Sequence, residues 1–372
     1  MKKSIRLLVG TLAAALALSA CAGDVQDAAE DQDQQPDTDT PAEEGDDPAA
    51  DTDDETDDQA DDPAASDVSG PLNFYTSQPD ADYEALIAAF NEVYPDVEVN
   101  VFRSGTEEVI SRVLAEHEAG GVEADVLLIA DELNFRNLKA RDLLTPYGSP
   151  ELDQIPDEFI DEDNTFTGTK IIDTAIAINT NLVDEAPTSW TDLIGQDDQV
   201  TMASPQYSGA AAYNLGVVAR DDRLGWEFWE QLAEQGTTVV QGNGGVLEAV
   251  AEGRSEYGIV VSFIVARAAE QGSPVEVVYP EEGVLAITEP IGITSNVQNL
   301  ETAQAFVDFV LSQEGQEQAA ELGYTPIREG VEPPPGLPTV DELELMEPDD
   351  LEELLENQEA DIRRFVELFG ES

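Results

Sequence analysis

The sequence predicts an α/β fold with a largely parallel sheet, in a chain long enough for two lobes. Three observations carry that expectation. Short apolar strands alternate with amphipathic helices from Leu72 onward, small-residue loops recur where a strand hands over to a helix, and about 300 residues of globular composition follow an acidic leader. No internal repeat is evident.

The first 21 residues read as an export signal rather than as part of the fold. Lys2, Lys3 and Arg6 form a basic start, Leu7 to Ala20 an apolar stretch, and the run closes Leu18-Ser19-Ala20-Cys21. The apolar part falls short of the ~20 residues that a membrane-spanning helix needs, so a cleaved signal is expected. Cys21 is the only cysteine, which excludes an intramolecular disulfide. Residues 22–70 hold 20 Asp or Glu and no Lys or Arg. With that charge and no aromatic residue the segment cannot bury enough apolar surface to fold, and it is expected to be a disordered, self-repelling tether.

The folded part is expected from Pro71. Leu72 to Thr76 forms a strand, and Asp80 to Tyr94 a helix with Tyr83, Leu86, Ile87 and Phe90 on its apolar face, stopped by Pro95. Val97 to Val101 alternates as a strand, Thr106 to His117 is helical, and Ala124 to Ile129 is a buried strand. Ile171 to Asn179 is a long apolar strand, and Pro187 to Leu193 opens a helix under a hydroxyl cap. Strand Val200 to Ala203 runs into the small-residue loop Tyr207 to Ala212. Strand Thr237 to Val240, loop Gly242 to Gly245 and helix Val246 to Glu252 repeat that pattern. Gly258 to Ser262, Val275 to Tyr279 and Ala286 to Thr294 complete the strands. Helix Leu300 to Leu311 follows, and beyond Pro333-Pro334-Pro335 the stretch Asp349 to Leu368 forms an amphipathic acidic helix. Trp190, Trp226 and Trp229 fall at helical positions and are expected in the core.

Formal net charge is -65, and after Cys21 only Lys139 and Lys170 remain as lysines. Such a surface repels nucleic acid and anionic headgroups, which excludes both as partners. The residues from Pro71 onward still carry 61 acids against 13 bases. Acidity spread over a folded body points to a high-salt habitat, where self-repulsion is screened.

Loops of small hydroxyl or amide residues with glycine are what close backbone approach to an anion requires at strand ends and helix N-termini. Four qualify: Thr76-Ser77-Gln78, Ser104-Gly105-Thr106, Ser208-Gly209-Ala210 and Asn243-Gly244-Gly245. A helix cap is the alternative reading of each. The expected site holds an anion with Ser208, the Gly209 and Ala210 amides, Thr76 or Ser77, and Ser104 to Thr106, with Asn243 and Ser262 nearby. Tyr207 stands beside it, Phe263 would pack on an apolar ligand body, and Asp131 would meet a ligand ammonium. No Gly-x-Ser-x-Gly elbow, Gly-x-x-x-x-Gly-Lys loop or His-Glu-x-x-His site occurs, so no enzyme and no cofactor are expected. A lipid-anchored hydrolase and an adhesion lipoprotein remain as alternatives.

Several segments carry a family resemblance: Leu72 to Thr76, Ala124 to Leu128, Ala177 to Asn181, Pro187 to Leu193, Tyr207 to Gly209, Gly253 to Phe263 and Leu311 to Gln316. In this order, over residues 71 to 330 and behind a Leu-Ser-Ala-Cys ending that resembles the bacterial lipobox, the chain resembles the type II extracellular solute-binding lipoproteins of ABC importers, in the ferric-iron and phosphonate-like branch. The resemblance implies two α/β lobes with mixed, mainly parallel sheets, joined by two crossing strands near Ile176–Asn181 and Val284–Ile291. It divides the folded part into residues 71–176, 177–285 and a returning 286–372. It implies lipid on Cys21, an outer-face location, a monomer, and a permease and ATPase as partners. It places an anion at Ser208-Gly209. Ferric members use a tyrosine pair where this chain has Phe263-Ile264, and a histidine where it has Gln78-Pro79, while the sole histidine, His117, ends a helix. An organic anion such as a phosphonate or phosphate ester is therefore expected, with no metal ligand set; Fe(III) is the alternative, with Tyr207 as its one phenolate.

Overall fold

The computed structural model describes residues 68–334, 337–338, 342–348 and 350–370. The expected signal, the lipid site at Cys21 and nearly all of the tether lie outside the described residues. The tether's last residues do not belong to it. Val68 packs on the core, the Ser69 carbonyl accepts from Asn299 Nδ2 at 3.1 Å, and the first strand begins at Gly70.

The first half of the chain runs β1 (Gly70–Thr76), α1 (Asp80–Val93), β2 (Val97–Arg103), α2 (Thr106–Ala119), β3 (Val126–Leu128), α3 (Glu132–Ala140), β4 (Leu144–Thr145) and β5 (Thr167–Asn179). It continues with β6 (Val200–Ala203), α4 (Gly209–Arg220), α5 (Gly225–Glu234), β7 (Thr238–Val240), α6 (Asn243–Ala251), β8 (Tyr257–Val261) and α7 (Ser262–Glu270). The closing elements are β9 (Val275–Val278), β10 (Leu285–Thr294), α8 (Leu300–Leu311), α9 (Gln313–Glu321), β11 (Thr325–Pro326) and α10 (Leu351–Phe369). The expected helix at Pro187 to Leu193 is only a 3-10 turn over Trp190–Leu193: Ser189 and Asp192 close a capping box, but Ile194 is extended and Gly195 has φ +87°.

The strand order is β2-β1-β3-β10-β5-β8-β6-β7. The outer strands pair in parallel, β1 with β2 and β3, and β6 with β7 and β8. Through the middle run β5 and β10, antiparallel to each other and to their other neighbours. β5 serves both lobes: Thr167 to Thr174 pair with β10, and Thr174 to Asn179 with β8 and β9. The first crossing therefore lies at Ile171–Thr174, ahead of Ile176–Asn181, which belong wholly to the second lobe. The second lies at Leu285–Thr288.

Each lobe has its own core. In the first, Phe74 and Phe90 pack on Phe306 with ring centroids 4.9 and 5.0 Å apart. In the second, Trp190, Phe228, Trp229 and Leu215 form one cluster, and the Trp190 indole donates to Gly283 O at 2.9 Å. α10 joins that cluster through Leu354 and Phe365, and Arg220 on α4 donates to Asp361 at 2.6 Å. The C-terminal helix thus sits on the second lobe, not beside α8 and α9, which cover β1, β10 and β5. A polar helix binds there because its one apolar stripe finds α4 and α5.

Candidate ligand-binding site

The C-terminal ends of the parallel strands of both lobes open onto one cavity of about 530 Å³. Ser77 follows β1, Arg103 ends β2, Ala130 follows β3, Tyr207 to Ala210 follow β6, Gln241 to Gly245 follow β7, and Phe263 follows β8. This is where an open α/β sheet presents backbone N–H groups to a ligand, and the volume suits a small molecule.

The N-termini of α2, α4 and α6 point their positive ends into this cavity. At α4, Ser208 Oγ caps the Ala211 amide at 3.3 Å and Ser208 O accepts from Ala212 at 2.9 Å, which leaves the amides of Gly209 and Ala210 for a ligand. Asn243 fixes the second wall: its Nδ2 donates to Ser208 Oγ at 3.2 Å and its Oδ1 accepts from Val261 N at 3.3 Å. Gly242 to Gly245 are the cap and first turn of α6 rather than a loop before it. The lobes touch at the rim. A Cβ on Gly105 would lie 2.5 Å from Tyr207 O, and one on Gly209 would lie 2.6 Å from Ala130 O. Only glycine permits these approaches.

The structure brings Ser77, Gly105, Thr106, Tyr207, Ser208, Gly209, Ala210, Asn243 and Phe263 to the cavity wall. Four other expected residues do not line it. Thr76 is fully buried, with its hydroxyl donating to Leu128 O and accepting from Gln78 N. Ser104 donates to Glu108, and Ser262 donates to buried Asp173 at 2.6 Å. Asp131 caps α3 by accepting from Asn134 N at 3.1 Å, so it is not placed for a ligand ammonium in the cavity.

Sequence reading missed the charges of the cavity. Arg103 donates to Gln78 O at 2.9 Å and to the Tyr207 hydroxyl at 3.2 Å, and so spans the lobes. Its signal was available, since it ends a parallel strand just ahead of the Ser104-Gly105-Thr106 loop. Arg267 lies four residues after Phe263, on the same helix face, and its guanidinium forks onto fully buried Asp82 at 2.7 and 3.2 Å. Burial opposes its charge, but the Asp82 hydrogen bonds outweigh that and raise its pKa. Tyr324 packs on Phe263 with centroids 4.2 Å apart and the rings tilted by 34°, and it donates to Asp82 at 2.6 Å. Burial first, then the Asp82 charge, pushes its phenol well above the usual range. Beneath them Lys170 and Glu289 form a buried ion pair, which Gln78 joins by donating to Glu289 at 3.1 Å.

Two lobes, two crossing strands and a cleft lined by strand ends define a solute-binding protein of the type II periplasmic class. Residues 85–346 match the model of the bacterial extracellular solute-binding proteins, and the chain belongs to that family. An uncharacterised protein of Haemophilus influenzae is 26% identical over 274 residues, covering 70% of this chain and 78% of that one. The probable ABC transporter periplasmic-binding protein y4fP of Sinorhizobium fredii is 25% identical over 245 residues, covering 62% and 67%. Among solved structures, the periplasmic binding protein AfuA of Actinobacillus pleuropneumoniae, with exogenous fructose 6-phosphate bound, superposes with a TM-score of 0.74 at 25% identity, covering 82% of this chain and 99% of that one. Iron-bound HitA of Pseudomonas aeruginosa gives 0.68 at 20% identity, covering 79% and 99%, a likeness of fold alone. The chain is therefore the solute-binding, non-enzymatic component of an ABC importer. Its family places it on the periplasmic or extracellular side. Among the described residues no helix is long and apolar enough to cross a membrane.

Proposed function

We propose that this protein captures a small organic anion, a phosphate ester or phosphonate, with the anionic group at the N-terminus of α4 and the organic body against Phe263 and Tyr324. The observation that carries the reading is the convergence of three helix N-termini and Arg103 on one cavity in so acidic a protein. The unpaired amides of Gly209 and Ala210 offset the surrounding negative field, and a charge-assisted bond to each adds directional binding. The fructose 6-phosphate bound to AfuA is a ligand of this chemistry.

Ferric iron, the alternative, is supported by the fold shared with HitA but not by the donors present. Phe263 and Ile264 bring no oxygen to the cavity, the Tyr207 hydroxyl accepts from Arg103, and the Tyr324 phenol is held protonated against Asp82. Titration calorimetry with fructose 6-phosphate, glycerol 3-phosphate, methylphosphonate, inorganic phosphate and Fe(III) tests the reading. Binding of one or more of the organic anions, and no Fe(III) uptake, is expected. Fe(III) binding with a visible phenolate-to-iron band, and silence to all the anions, would replace it.

We also propose a monomer held to the outer face of the membrane by lipid on Cys21, with the acidic segment as spacer. Cys21→Ala should move the protein to the soluble fraction, and retention in membranes would end the anchor assignment. For a high-salt habitat, melting temperature should rise from dilute buffer to molar chloride, because the Debye length shrinks from about 30 Å at 0.01 M to about 3 Å at 1 M.

A further inference from the structure

We infer that the two lobes close with uptake of a proton: Glu107 and Asp131 on the first lobe form an acidic pair that the start of α4 on the second lobe seals off, and the sealed pair shares its space with a hydrogen that the open form releases. Asp131 is 1% exposed, and its Oδ2 has no hydrogen-bond partner. Glu107 lies half-buried in the first turn of α2, and Asn134 links the two by donating from its backbone to Asp131 at 3.1 Å and from its side chain to Glu107 at 3.5 Å.

No base compensates them: among the described residues neither carboxylate has an ion-pair partner within 4 Å. The groups facing them are acidic or neutral. Glu132 on α3 is taken by Arg136, Tyr213 approaches from α4, and Glu347 of the C-terminal segment acts on that same tyrosine. The cover comes from the other lobe, since Glu107 N donates to Tyr207 O at 3.4 Å, and Ala130 O and Thr106 Cγ2 lie 2.6 and 3.0 Å from where a Cβ of Gly209 would be.

A buried carboxylate with a half-buried one beside it and no cation cannot cheaply keep both ionised. Burial pushes Glu107 to about 7, and burial, then the Glu107 charge, pushes Asp131 to about 7 as well. Parting the lobes withdraws α4, readmits water and returns both towards the ordinary carboxylate range. Closure is then favoured as pH falls through neutrality.

The test needs no ligand and so stands apart from the identity of the solute. The full chain carrying Cys21→Ala, Glu92→Cys on α1 and Glu227→Cys on α5 is spin-labelled, and interlobe distances are recorded from pH 5 to pH 9 by electron double resonance. The closed population should rise as pH falls, with a midpoint near 7, and Glu107→Gln with Asp131→Asn should abolish that dependence. Glu107→Gln alone should weaken it, which covers the case that the double variant fails to fold. A pH-independent distance in the parent, or an unchanged profile in the variants, would overturn the proposal. Closure at pH 8.5 on adding Na⁺ or Ca²⁺ would overturn it too, by showing that the pair takes a metal cation instead.

Discussion

Gly209→Ala isolates the contact between the lobes from the stability of either one. The new methyl would sit 2.6 Å from Ala130 O, 3.1 Å from Ala130 C and 3.0 Å from Thr106 Cγ2. Two of these atoms are backbone and cannot swing aside, so relief comes from the lobes parting by several tenths of an ångström. Overpacking of this kind costs about 1 to 3 kcal/mol, and here the closed form alone bears it. At ~1.4 kcal/mol per decade that converts to roughly 5- to 150-fold weaker ligand binding. Folding stability should hold or improve slightly, because alanine suits the first turn of a helix better than glycine. Calorimetry with the tightest anion of the panel, run beside a thermal melt, reads both quantities. Undiminished affinity would refute the idea that the ligand is held where α4 meets Ala130, and a melt that fell along with affinity would place the clash inside one lobe.

Arg267→Met should destabilise the protein by about 3 to 5 kcal/mol, because fully buried Asp82 would lose its countercharge. Adding Asp82→Asn should recover most of the loss in urea denaturation, and a double variant no better than the single one would contradict the pairing. Phe365→Ala empties a site 1% exposed beneath Trp229 and should cost about 3 to 5 kcal/mol, read as early unfolding by tryptophan fluorescence. An unchanged melt would mean that α10 only rests on the second lobe. Asp131→Asn gives a pH signature. The native carboxyl, raised to about 7, holds its proton more tightly than the unfolded chain, so the penalty of ionising it builds as pH rises from near 4 and is complete above 7. Asparagine caps a helix as well as aspartate, so the variant should match the parent near pH 4 and exceed it at pH 8.5. A difference that did not vary with pH would show that Asp131 is not strained by burial.

What the sequence revealed was local. Strands such as Leu72 to Thr76 and Val200 to Ala203 were legible because short stretches rich in β-branched, aromatic and other apolar residues, between polar loop residues, suit a half-buried or buried strand. The turns at Gly105 and Ser208 were legible because glycine and hydroxyl residues after a strand mark a place for backbone N–H groups, whereas Gly242 to Gly245, expected as a loop, form the cap and first turn of α6. What such a reading could not weigh was competition among neighbours for a side chain. Thr76, Ser104 and Ser262 have the right chemistry, but Leu128 O, Glu108 and Asp173 claim their hydroxyls first. Arg267 and Tyr324, 57 residues apart, meet through Asp82 from a third segment, and no spacing announces that. The seat of α10 was hidden for a similar reason: an apolar stripe shows that a helix packs, not on what.

A crystal structure of the protein loaded with its tightest-binding anion tests the central claim most directly. The expected result is a phosphate or phosphonate group within hydrogen-bond distance of the Gly209 and Ala210 amides and the Arg103 guanidinium, with the organic body on the Phe263 ring. An anion bound outside the cleft, or density for a metal on Tyr207 with the α4 amides unused, would contradict it.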